Sequence, residues 1–84
     1  MKEQKILSER IQELCRARRM SYYLLAYKSG VPITTVMNIV HCTTKNPGIF
    51  TIIRLCGALG VSVREFFDSE EFRSMEENWK ERQQ

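Results

Sequence analysis

The chain has 84 residues, 43% hydrophobic and 27% charged, which suits one compact domain and excludes a disordered polymer. Its net charge of +3 is uneven: residues 1–67 carry ten Lys or Arg against four Asp or Glu, and 68–84 carry three against six. Cys15, Cys42 and Cys56 are odd in number and form no Cys-x-x-Cys pair, which argues against a disulfide framework or a zinc ribbon. No apolar run reaches membrane-span length and no signal-peptide stretch follows Met1, so the expected compartment is the cytoplasm, with no membrane partner.

Residues 5–18 place Ile6, Leu7, Ile11, Leu14 and Cys15 at helical spacing between charged positions, which predicts a first amphipathic helix. Arg18 and Arg19 suit its negative C-terminal end. Ser21 is placed to cap a second, two-turn helix with Leu25 and Ala26 inward, and Gly30 to end it in a left-handed turn. Pro32 restarts the chain, because a proline at a first helical position forfeits no hydrogen bond. The third helix runs to about Val40. Thr43 to Gly48 is polar and turn-rich. A fourth helix near Thr51–Leu59 turns Ile52, Leu55, Cys56 and Leu59 inward, with Gly60 closing it. Ser62 and Glu65 form a capping box for a short fifth helix, whose Val63, Phe66 and Phe67 complete the core. From Asp68 the composition turns acidic, and Ser69 heads a candidate sixth helix with Phe72, Met75 and Trp79 in one stripe. The fold class read from this pattern is all-α, with residues 1–68 as the domain and 69–84 as an acidic amphipathic tail.

No Asp or Glu lies between Glu13 and Glu65, while Arg16, Arg18, Arg19, Lys28, Lys45, Arg54 and Arg64 fall within that interval. A field of one sign attracts polyanions, and it equally serves solubility as a solvated face.

The informative stretch is Ser21 to Val40. Ala26 is small where the next helix crosses close to it, Gly30 accepts the positive φ of the turn, and Val36, Ile39 and Val40 fix the third helix against the first two. With its neighbours, this stretch resembles the lambda-repressor-like family of helix-turn-helix regulators, the Cro and repressor type. The resemblance covers about residues 5–68 and includes Arg10-Ile11-x-x-Leu14, Lys45-Asn46-Pro47 and Leu59-Gly60-Val61-Ser62-Val63. It implies a compact five-helix domain, a sequence-specific regulator of transcription acting as a repressor, and double-stranded DNA as partner.

With Val36, Ile39 and Val40 inward, Ile33, Thr34, Met37, Asn38 and His41 fall on the opposite face of the third helix. Such a stripe is ordinary surface in an arbitrary helix; in this family it is the base-reading face. Asn38 offers a donor and an acceptor to the N7 and N6 edge of adenine, Thr34 reaches a base or a phosphate, and Ile33 and Met37 suit thymine methyls. The face carries no Arg, so an A·T-leaning site is expected. The resemblance places backbone contacts at Tyr22, Lys45 and Asn46, joined by Thr35 and His41 beside the reading face. For Tyr22 a partly buried aromatic is an equal reading. Cys42 stands where many relatives have glycine, so its turn is either built differently or strained. Cys15 and Val40 occupy positions where some relatives place a buried Arg–Glu pair, which predicts an apolar contact instead.

An enzyme is disfavoured, because no central carboxylate exists to orient His41 and no nucleophile elbow or phosphate loop occurs. No cofactor, metal or small-molecule ligand is expected, and a redox role for Cys42 stays open. The competing class is a protein-interaction module, such as an antitoxin or a regulator's partner, that reuses the fold without binding DNA; the basic middle argues against it. One short domain offers little DNA interface, so a homodimer is expected. Phe72, Met75 and Trp79 could pair with Phe50 and Ile53 within one chain or between two.

Overall fold

The computed structural model describes residues 2–82, which form six helices: α1 Lys2–Ala17, α2 Tyr22–Ser29, α3 Ile33–Val40, α4 Ile49–Leu59, α5 Val63–Phe66 and α6 Glu70–Arg82. The all-α class and the candidate sixth helix both agree with the sequence reading. No helix among the described residues is long and apolar enough to cross a membrane.

The core gathers one stripe from each helix. Ile11, Leu14 and Cys15 of α1, Leu25 and Ala26 of α2, and Val36 and Ile39 of α3 meet Ile52, Leu55, Cys56 and Leu59 of α4. Phe66 of α5 is fully buried among them, a position where a Phe side chain contributes about 1.5–3 kcal/mol. Phe72 of α6 is buried as well, with its ring 4.9 Å from that of Phe67. Met75 packs at the edge of the core and Trp79 is half exposed. The α6 stripe therefore packs within the chain over its first half. Val63, expected inward, is exposed: it is the first residue of α5, next to the exposed cap Ser62, where the chain enters the helix from the surface.

Helix ends are set by local chemistry. Ser21 accepts from the Leu24 amide at 3.0 Å, Ser62 from Glu65 at 2.9 Å and Ser69 from Phe72 at 3.3 Å, each satisfying a first-turn donor. Gly30 and Gly60 take φ of 71° and 72° at the ends of α2 and α4. Two further helices end the same way without glycine. Arg19 after α1 has φ 51° and Cys42 after α3 has φ 62°. At each, amides of the turn fold back on carbonyls of the last helical turn: Met20 on Cys15 at 2.9 Å, and Thr43 on Asn38 at 2.8 Å.

Two arginines serve as struts. Arg10 donates through Nε to the Phe66 carbonyl at 2.7 Å and through Nη2 to that of Glu65 at 2.8 Å, and it pairs with Glu13. Arg18 donates to the Leu59 carbonyl at the end of α4. The expectation that Arg18 serves the end of its own helix is thereby corrected. Its side chain is long enough to reach the unpaired carbonyls of another helix, where it binds the same kind of negative end.

Candidate nucleic-acid interface

The helix-turn-helix unit is α2, the Gly30 turn and α3. Gly30 donates its amide to Ala26 at 3.0 Å, Ser29 Oγ accepts from Val31 at 3.2 Å, and buried Val31 plugs the turn. Pro32 precedes α3 with φ −56° and accepts from Thr35 and Val36 at 3.0 and 3.1 Å. The corner is thus closed by its own hydrogen bonds, and the angle between α2 and α3 follows from the core residues on each.

The outward side of α3 differs in detail from the stripe read off the sequence. Thr34, Asn38 and His41 are exposed. Ile33 and Met37 are half-buried, and Ile33 packs against the core. The polar residues thus form the ridge of the helix, and the two apolar ones flank it. Thr35 is half-buried. Asn38 is fixed from the following turn: the Thr43 hydroxyl lies 3.2 Å from both its Oδ1 and its backbone carbonyl.

The C-terminal turn of α3 is the one that Cys42 made doubtful, and it keeps the left-handed conformation that a glycine would take. A non-glycine residue there carries a steric cost between Cβ and the following carbonyl. The cost is offset by the amides of Thr43 and Thr44 on the Asn38 carbonyl, at 2.8 and 3.3 Å.

The loop beyond carries Lys45 and Asn46, both exposed. It is pinned to α1 by Gln4, whose Nε2 donates to the Lys45 carbonyl at 2.8 Å. Ser8, buried on α1, donates to the Val40 carbonyl at 2.5 Å and accepts from Gln12 at 3.0 Å. The contact between α1 and α3 therefore combines buried Cys15 and partly buried Val40 with one polar clasp. Sequence reasoning passed over Gln4 and Ser8, because a polar residue in an amphipathic helix gives no sign that it faces a loop carbonyl.

At the other end of the unit, Tyr22 opens α2 half-buried against the core. It borders an open cleft of about 530 Å³ with Arg16, Arg19, Tyr23 and Met37 around it and Cys15 within. Among the described residues no carboxylate lines this cleft. The first amides of α2 are there too, and only Leu24 is capped by a side chain. Guanidinium groups beside a helix N-terminus make a region of positive potential. Sequence reasoning had Arg16 only as a member of a basic stretch, and Arg19 as that and as a partner for the end of α1. The left-handed turn at Arg19, which brings this part of the chain beside the start of α2, is a tertiary feature that residue type does not announce.

Cys15 and Cys56 are buried, and desolvation pushes both thiols above the ordinary value. His41 and Cys42 are not part of a cluster suited to a metal ion; no group of three or more His, Cys, Asp or Glu side chains so placed occurs among the described residues.

Two short helices locked at a closed corner, the second with an exposed polar ridge and basic groups at both flanks, define a helix-turn-helix protein of the nucleic-acid-binding class. The sequence model of the Cro/C1-type HTH DNA-binding domain matches residues 10–71, and the chain belongs to that family. Comparison with curated proteins and with solved structures gave no significant match.

Proposed function

We propose that the protein is a sequence-specific repressor of transcription that lays α3 in the major groove of double-stranded DNA and binds as a homodimer. The observation that carries this reading is the polar ridge of α3 between two basic flanks, at Arg16 and Arg19 on one side and Lys45 on the other. Thr34 and Asn38 face base edges, Ile33 and Met37 contribute partial apolar contacts to thymine methyls, and Tyr22, Thr35, His41, Lys45 and Asn46 hold phosphates. Arg16 and Arg19 join that backbone set. Residues 1–68 supply the DNA-binding domain, and the 69–84 tail, through Phe72, braces it from the side of α1 and α5. Repression follows from occupancy, because a protein seated on a promoter excludes polymerase from the same groove.

Selection from random duplexes tests the reading. It should enrich an A·T-rich inverted repeat with half-sites about one helical turn apart. Absence of any salt-sensitive binding to duplex DNA would instead favour the protein-interaction module.

A further inference from the structure

The outward face of α4 carries two apolar side chains that join no core packing among the described residues: Phe50 is 73% exposed and Ile53 43%. Gly57 lies on the same face, at helical spacing from Phe50 and Ile53 and opposite the buried stripe of Ile52, Leu55, Cys56 and Leu59. Nothing in the fold asks for a glycine at this position. Its φ is not positive, and a Cβ built there meets no atom within 4 Å. Glycine inside an exposed helix weakens the helix relative to alanine. What the missing side chain provides is a gap on the surface, about two turns along the face from a protruding phenyl ring.

Knob and gap are placed symmetrically about the middle of the helix. We propose that this face is a self-complementary contact between two copies of the chain. The two α4 helices run antiparallel across a two-fold axis passing between Ile53 and Arg54, and Phe50 of each copy seats over Gly57 of the other. An isologous contact needs complementary shapes at positions related by one axis. Phe50 and Gly57, equidistant from that midpoint, meet the requirement at both ends. In the centre Ile53 faces the aliphatic stem of Arg54, whose charged head extends to solvent. The two Arg54 heads repel one another and weaken the pair.

Area decides how strong the contact is. A phenylalanine side chain buries about 150–250 Å², so Phe50 and Ile53 at their exposures of 73% and 43% offer roughly 200 Å² per copy. Two copies bury about a third of the ~1,200 Å² at the lower end of stable specific interfaces. The contact is therefore too small to hold a dimer at micromolar concentration, and it acts when DNA brings two copies side by side. This last step rests on the DNA-binding reading; the self-association does not.

Sedimentation of the full chain without DNA tests the contact directly. The expected result is monomer at micromolar concentration and reversible dimer toward millimolar, with Phe50→Ala and Gly57→Leu both monomeric throughout. Both sites are exposed, and leucine improves the helix, so circular dichroism should report folded proteins. A wild type that stays monomeric at millimolar concentration overturns the proposal. So does a Gly57→Leu chain that dimerises like wild type, because the gap would then be unused. On a selected duplex with two half-sites, Phe50→Ala should bind about tenfold more weakly than wild type, with single half-site binding unchanged. Loss at the single half-site as well would place Phe50 on the DNA and overturn the dimer role. Failure of all chains to bind DNA, with dimerisation intact, would count against the DNA reading alone.

Discussion

The Thr43 hydroxyl sits between two acceptors of one residue, 3.2 Å from the Asn38 carbonyl and 3.2 Å from the Asn38 Oδ1. Thr43 follows α3, and its backbone amide is bound to the same carbonyl at 2.8 Å. The amide of Asn38 is thus oriented by the chain itself, and under the proposed reading it is this oriented amide that meets a base.

Removing that orientation should cost specificity more than affinity. Asn38→Ala is expected to relax preference at one base pair by about 1–3 kcal/mol, the worth of a good bidentate contact. Thr43→Val should relax the same position by a smaller amount, and Thr43→Ser should restore it. Binding to a panel of duplexes altered one pair at a time measures this. Loss spread evenly over all positions would mean that Thr43 supports the turn and not the amide.

Lys45 should behave in the opposite way. It stands exposed on a loop pinned through its carbonyl to Gln4, so Lys45→Ala removes a charge without loosening the loop. Affinity should fall for every sequence alike, and the slope of log affinity against log salt should drop by about 1. An unchanged slope would take Lys45 off the phosphate backbone.

Cys42 holds a left-handed conformation at φ 62°. Such a conformation costs a residue with a Cβ about 1–2 kcal/mol, and glycine returns part of the gain through its greater freedom when unfolded. Cys42→Gly should therefore stabilise the chain by roughly 0.5–1 kcal/mol, a rise of about 2–8 °C in Tm for a domain of this size. Thermal unfolding followed by circular dichroism decides the sign.

Arg10 belongs to the scaffold in spite of its charge. Its side chain is 14% exposed and satisfies the carbonyls of Glu65 and Phe66. Arg10→Met keeps the stem and strands those acceptors, for an expected loss of about 1.5–3 kcal/mol in stability. The folded variant should bind DNA with a salt slope equal to wild type. A slope reduced as in Lys45→Ala would reassign Arg10 to the interface.

The buried thiols predict an alkaline limit. Burial raises Cys15 and Cys56 above their ordinary value of 9.0, so above that pH the unfolded chain ionises while the folded one stays protonated. The associated stability is complete below pH 9 and is lost as pH rises toward the folded values, by up to about 1.4 kcal/mol per pH unit for each thiol. Urea titrations from pH 8 to 10.5 should show a steeper decline for wild type than for Cys15→Ala, Cys56→Ala. Parallel declines would assign the loss to other groups.

Much of this protein is decided locally and was legible in the sequence. Ser21, Ser62 and Ser69 cap helices where their spacing places them, Gly30 and Gly60 end helices in left-handed turns, and the inward residues of α1 to α4 follow helical periodicity. These outcomes depend on a few neighbouring residues, so a linear reading suffices.

What only the tertiary structure decided depends on groups far apart in the chain. Arg18 is committed to the Leu59 carbonyl, so one of the bases that looked like an anion-binding field is a strut, and Arg10, outside that field, is a second strut committed to α5. Gln4 reaches Lys45 across 41 positions, and Ser8 reaches Val40 across 32. Side-chain type announces a hydrogen-bonding capacity but not the carbonyl that will stand opposite. That is fixed when the core closes, because packing of the apolar stripes sets the angles between helices and leaves the polar groups to find whatever the new surfaces present. Helix α3 shows both levels together. Its inward face was written in Val36 and Ile39, whereas the half-burial of Ile33 and Met37 and the hold of Thr43 on Asn38 arose only when α1, α2 and the following turn closed around it.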